Sequence, residues 1–162
     1  MTLHAIIRSV NTTQSGFFMT SELDSKDLRI LNDLFHMAQD VVPVTGAKLA
    51  AAIAIRGHVK SWGTNQWRTH PFQQRFGKNE FSPFWHAETN AIHNYLRRYD
   101  VSDLQRATLY VVRVKRPSER SREWVTGMAK PCRGCRSCIY NHGITRVVWS
   151  NDHVGYSCEG EF

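Results

Sequence analysis

Long apolar runs are missing from this sequence. No stretch approaches the roughly 20 consecutive apolar residues of a membrane-spanning helix, and 41% hydrophobic with 22% charged residues is an ordinary globular composition. The opening segment "MTLHAIIRSVNTTQSGF" lacks the basic stretch followed by a continuous apolar one that marks a secretory leader, so the expected compartment is the cytoplasm and no membrane partner is expected. Cysteine is scarce. Of the four cysteines, three crowd into "CRGCRSC", a spacing that suits metal or redox chemistry by reduced thiols better than a disulfide framework. Repeats, low-complexity tracts and linkers are also missing. The 162 residues therefore read as one domain. Acidic residues are few beside basic ones, 14 against 21, and the net charge of +7 favours anionic partners, whether a nucleotide or a polymer of them. The charge does not choose between these, and a basic surface that only keeps the protein soluble fits it equally.

What is present has a clear order. In "SKDLRILNDLFHMAQDVV", Leu28, Leu31, Leu34, Phe35 and Ala38 recur three or four apart, which predicts a helix capped by Asp24 or Ser25 and ended by Pro43. "AKLAAAIAIRGHVKSWG" predicts two strands around Arg56-Gly57, a central hairpin whose Ala, Leu and Ile run has no polar face and so is covered on both sides. Ala91, Ile92, Tyr95 and Leu96 share one face of a second helix over 87–98. "ATLYVVRV" is the next strand, and a third helix starts near Cys132 or Arg133 and ends at Gly143. "TRVVWS" and "VGYSCE" supply the last two strands. The pattern predicts a layered α/β domain with helices packed on a mixed sheet.

Two helix heads carry metal-type ligands. "FWHAETNAIHNY" places His86 two residues before Glu88, and "AKPCRGC" offers Cys132 and Cys135 just where Pro131 suits a helix start. A catalytic zinc takes three protein ligands and keeps a fourth position open, and His86, Cys132 and Cys135 supply that number. Helix N-termini favour deprotonated thiolates. Glu88 would then lie close to the metal without binding it, in the place of a proton shuttle, although a first-turn carboxylate also has a plain helix-dipole reading.

His86-Ala87-Glu88 followed by Pro131-Cys132-Arg133-Gly134-Cys135 resembles the H-x-E…P-C-x-x-C signature of the zinc-dependent cytidine and deoxycytidylate deaminase superfamily, over roughly residues 45–158. The resemblance implies a three-layer α/β/α cytidine deaminase-like fold with a mixed five-stranded sheet. Residues 1–43 would be an N-terminal extension plus the first helix, and 44–158 the catalytic core of a single deaminase domain. It implies a Zn2+ cofactor held by His86, Cys132 and Cys135, with Glu88 as catalytic acid and base in hydrolysis of a C–N bond of a cyclic amidine. Cytosine would become uracil with release of ammonia. "HAETNAI" resembles the version common among cytidylate and deoxycytidylate deaminases, and a T-H-P element before the histidine resembles short phage-encoded members, which favours a free cytosine nucleotide or nucleoside as the substrate. Asn65 in "GTNQWRTHP" is carried over as a sugar or phosphate contact, with Ala87, Thr69, His70 and Arg68 placed in the same pocket. Family members commonly complete their pockets through neighbouring subunits, so a homo-oligomer is implied.

One departure from the pattern is structural. Deoxycytidylate and transfer-RNA adenosine deaminases place a helix between the last two strands, whereas here only Ser150-Asn151-Asp152-His153 intervenes. So short a link makes an antiparallel C-terminal hairpin, because a parallel crossover needs about a dozen residues. That architecture is closer to the cytidine or blasticidin deaminase branch. Two other readings stay open. Trp62, Trp67, Phe72, Phe76, Phe81, Phe84 and Trp85 lie among Arg68, His70, Arg75 and Lys78, a mixture able to stack the bases and contact the phosphates of single-stranded DNA or RNA. Alternatively, Cys132, Cys135, Cys138 and remote Cys158 could form an all-thiolate zinc or iron–sulfur site in a non-catalytic nucleic-acid-binding module, with His86 a mere helix cap. His36, His58 and His93 suggest no chemistry.

Overall fold

The computed structural model describes residues 23–77, 83–152 and 155–160. Helix α1 (Ser25–Gln39) starts where the Asp24 side chain accepts hydrogen bonds from the backbone of Lys26 and Asp27 while the Asp27 carboxylate accepts one from the Asp24 N–H. Ile30, Leu31, Leu34 and Ala38 form its buried stripe. The helix ends at Gln39 with Asp40 as its cap, so Pro43 follows the end instead of causing it.

Strands β1 (Lys48–Ile55) and β2 (His58–Thr64) form an antiparallel hairpin. Arg56 and Gly57 have φ of 54° and 78°, as in the two-residue turn whose twist matches that of the flanking strands. β1 lies between β2 and β3 (Ala107–Lys115), and both of its faces are buried, as its unbroken apolar run predicts. β2 is an edge strand, which corrects the expectation of a central hairpin.

The sheet runs β2-β1-β3-β5-β6, with β5 spanning Arg146–Ser150 and β6 spanning Tyr156–Gly160. β3 and β5 are parallel, joined through helix α4 (Arg133–Asn141), and β5 and β6 are antiparallel, as their short link requires. A sixth strand, β4 (Val125–Gly127), corrects the expected count of five. It pairs with Arg113–Lys115 of β3, beyond the Thr108–Val111 segment that β5 occupies.

Three layers result. On one face α1 packs on Ala50, Ala52, Tyr110, Val112 and Val148. On the other, helix α3 (Ala87–Leu96) and α4 pack on Ala51, Ile53, Leu109, Val111 and Val147. A short helix that the sequence reading lacks, α2 (Pro71–Phe76), lies beside α3 and α4.

The α3–β2 contact positions the site. A Cβ at Gly63 would stand 2.3 Å from the Ala91 backbone nitrogen, so the helix reaches this depth only over glycine. Three hydrogen bonds fix it there: Ser61 Oγ to the Ala91 carbonyl at 2.8 Å, and the side-chain amides of Asn90 and Asn94 to the Thr64 and Trp62 carbonyls at 2.9 and 2.8 Å. Among the described residues, no helix is long and apolar enough to cross a membrane.

Candidate metal centre and active site

Helices α3 and α4 begin beside each other, each with a ligand-type residue at its cap. His86 caps α3 and Cys132 caps α4, and neither side chain makes a capping hydrogen bond. Gln73 of α2 takes over at α3: its Oε1 accepts from the His86 N–H at 3.1 Å and from the Thr89 hydroxyl. The His86 imidazole is thereby turned toward the cysteines instead of its own backbone. Pro131 is buried one residue ahead of the Cys132 cap, so the first helical position belongs to Arg133 and not to the proline.

His86 Nδ1 lies 3.6 Å from Cys132 Sγ and 3.3 Å from Cys135 Sγ, and the three ligand atoms all fall within 4.8 Å of one another. Bond lengths of about 2.0–2.3 Å place ligand atoms about 3.6 Å apart around a tetrahedral zinc. The spacing and the imidazole–dithiolate donor set fit that ion with a fourth corner to spare.

The electrostatics match. Cys132 is pulled down to about 3, first by the Cys135 thiol donating to it and then by the hydrogen bond with His86, against the opposing effect of burial. Cys135 is pushed well up by donating that bond and by burial, so the negative charge of the metal-free pair sits on Cys132. Burial lowers the His86 pKa, but the hydrogen bond with Cys132 and the Glu88 charge outweigh it and leave the imidazole more basic than usual. Glu88, 4% exposed, is raised chiefly by burial.

Glu88 lines a cavity of about 210 Å³ together with His86, Ala87, Cys132, Asn65 and Phe84. Asn65 enters it while bridging two backbone groups, accepting from the Leu49 N–H and donating to the Ala47 carbonyl, both at 2.9 Å. Thr69 and Arg68 are exposed, and neither they nor His70 line this cavity. His70 caps α2, accepting from the Phe72 N–H at 3.1 Å, and stacks on Trp85 at 3.9 Å. A wider hollow of about 320 Å³ lies on that side, lined by His70, Phe72, Arg75 and His93, away from the metal-type ligands. Sequence reasoning missed Gln73, Arg113 and Lys130, the last two also in the smaller cavity.

The all-thiolate site does not form. Among the described residues, the only set placed to hold a metal ion is His86, Cys132 and Cys135. Cys138 belongs to the α3–α4 face and Cys158 to the α1 face, with the sheet between them. Burial first, then the Glu88 charge, pushes the Cys138 thiol up to about 12. The aromatic set is likewise divided. Phe72 and Trp85 are core residues, Trp62 packs on the α1 face, Trp67 is 53% exposed, and Phe81 and Lys78 lie outside the described residues.

Comparison with known proteins adds three findings. No curated protein matches the chain. Among solved structures, the dCMP deaminase from the cyanophage S-TIM5 in apo form is similar, with 20% identity over 76% of this chain and 83% of that one and a TM-score of 0.49. A family model described as the cytidine and deoxycytidylate deaminase zinc-binding region matches residues 24–151. That span covers most of the chain and takes in His86, Glu88, Cys132 and Cys135, and the chain therefore belongs to the cytidine and deoxycytidylate deaminase zinc-binding family.

Proposed function

We propose that this protein hydrolyses the exocyclic amine of a free cytosine nucleoside or nucleotide, giving the uracil form and ammonia. His86, Cys132 and Cys135 hold the zinc. Zinc at these three side chains supplies Lewis acidity, which brings the pKa of a water from near 16 to about 7. The observation that carries the reading is the opening of His86, Cys132 and Glu88 into one cavity.

The protein's own groups do the rest. Glu88 is buried and its pKa is raised, so its carboxylate is a better base than an exposed one and its acid form persists nearer neutral pH. It takes a proton from water and passes it to the ring nitrogen of cytosine as the water oxygen bonds to C4. It then moves the proton of the new C4 hydroxyl to the amine as the C4–N bond breaks, so that the oxygen becomes the carbonyl of uracil and ammonia leaves instead of an amide anion. Asn65, fixed at both ends of its side-chain amide, and Ala87 form the cavity wall against which the substrate is oriented. The test is ammonia release by zinc-loaded protein from cytidine, deoxycytidine and their 5′-monophosphates. Absence of turnover on all four by protein containing stoichiometric zinc sinks the reading.

A further inference from the structure

The cavity that holds Glu88 also holds two cationic side chains, Arg113 and Lys130, and among the described residues Glu88 is the only carboxylate lining it. Arg113 is set in place with care. Its backbone N–H donates to Ser150 Oγ at 3.0 Å, that hydroxyl donates to the Gly127 carbonyl at 2.7 Å, and the Ser150 carbonyl accepts from the Ala129 N–H at 2.9 Å. One fully buried serine thus ties β3, β4 and the segment leading to the Pro131-Cys132 motif together at this residue.

The register places Arg113 opposite Gly127. A Cβ at Gly127 would lie 3.1 Å from Arg113 Cδ and 3.2 Å from Cγ, so the glycine leaves the lane along which the arginine stem crosses β4. Arg113 Nε is buried without a hydrogen-bond partner, and no ion pair reaches Arg113 or Lys130 among the described residues. The Lys130 ammonium stands 5.6 Å from the Trp149 ring centroid. A buried donor without an acceptor is costly, and two cations lining one cleft favour the entry of an anion. A guanidinium edge fits phosphate oxygens in pairs.

Resting on the deaminase reading above, we propose that Arg113, assisted by Lys130, holds the 5′-phosphate of a cytosine mononucleotide, and that this pair makes the protein select the nucleotide over the nucleoside. Two cations match a dianionic phosphate monoester better than the single charge of a phosphodiester in a strand.

The experiment uses the zinc-loaded full chain and compares kcat/KM for dCMP, CMP, deoxycytidine, cytidine and a cytosine-containing single-stranded oligonucleotide. The variants are Arg113→Met, which keeps the stem over Gly127, Arg113→Lys, which keeps the charge, and Lys130→Ala. The monophosphates are expected to exceed the nucleosides, and Arg113→Met should shrink that preference by about 10–100-fold, the scale of hydrogen bonds to a charged group. Arg113→Lys should restore part of it. The thermal shift given by dUMP, but not by deoxyuridine, should fall in the Arg113→Met protein, provided its unliganded transition stays cooperative. Equal turnover of nucleoside and nucleotide or an unchanged preference in Arg113→Met overturns the phosphate assignment and leaves the deaminase reading standing, whereas turnover of the oligonucleotide alone overturns both the phosphate assignment and the free-substrate reading. Failure of every cytosine compound overturns the deaminase reading. The dUMP shift then decides the anion site on its own: retained in wild type and lost in Arg113→Met it supports the site, and absent from both it refutes it.

Discussion

Glu88 and His86 are two residues apart and do different things, which substitution separates. The Glu88 carboxyl is buried beside the thiol pair but is not among the three converging ligand atoms. Glu88→Gln keeps the size and removes the proton carrier. The variant should bind zinc at wild-type stoichiometry while ammonia release falls by about 10²–10⁴-fold, the usual contribution of a positioned acid–base group. Metal content beside turnover is the check, and full activity in a zinc-loaded variant refutes the shuttle role. His86→Ala should lose the metal itself. Cys138→Ser and Cys158→Ser should not, because one thiol lies within the α3–α4 core and the other on the far face of the sheet. Zinc lost from either of those two would mean that ligation differs from the geometry of His86, Cys132 and Cys135.

At the scale of elements, the placing of Glu88 depends on how deeply α3 sits on β2. Gly63→Ala would drive a methyl group against the backbone of Ala91, which can move only if the helix does. Overpacking of this kind costs typically about 1–3 kcal/mol. The variant should show a lower Tm and weaker zinc retention together, since His86 and Glu88 travel with α3; a wild-type Tm would show that the helix accommodates the group. The long elements were legible in the sequence because each buries a periodic face over many residues. The spacing of Leu31, Leu34 and Ala38 marks α1, and the unbroken Ala50–Ala54 run marks a strand covered on both sides. The His86, Cys132 and Cys135 convergence was legible because the ligands sit at fixed places on helix starts. α2 has six residues and β4 has three, too few to show a period. β4 pairs where β3 runs past the end of β5 and leaves the edge of Arg113–Lys115 away from β1 open, a fact of tertiary structure. Gln73 and Arg113 were invisible for that reason, and His70, read as a pocket residue, is occupied in capping α2.

Across the whole molecule, one carboxylate connects α1 with β3 and β5. Asp27, 4% exposed on α1, receives Arg146 of β5 through two bonds of 2.9 and 2.8 Å and the Tyr110 hydroxyl of β3 at 2.5 Å. The same side chain closes the cap with the Asp24 N–H at 3.0 Å, so helix start and layer docking share an anchor. Burial pushes the Asp27 carboxyl up, but the bonds from Arg146, Tyr110 and the Asp24 backbone outweigh it and hold the group below its usual range. A carboxylate with a depressed pKa adds stability that is complete above the unfolded value of about 3.9 and disappears as the pH falls through the lower folded value. Asp27→Asn should therefore be less stable than wild type at pH 7 by about 3 kcal/mol, the lower end for breaking a buried pair, since the Arg146 side chain keeps 27% of its exposure. For a chain of this size that is a Tm lower by roughly 6–12 °C. The gap between the two proteins should close as the pH drops below about 4, where wild type loses the same charge. Comparing both proteins in the same zinc state cancels the protonation of the metal ligands. Urea unfolding of each at pH 7 and again below pH 4 measures the gap, and a difference that persists unchanged into acid would show that Asp27 holds α1 by shape and neutral hydrogen bonds, not by its charge.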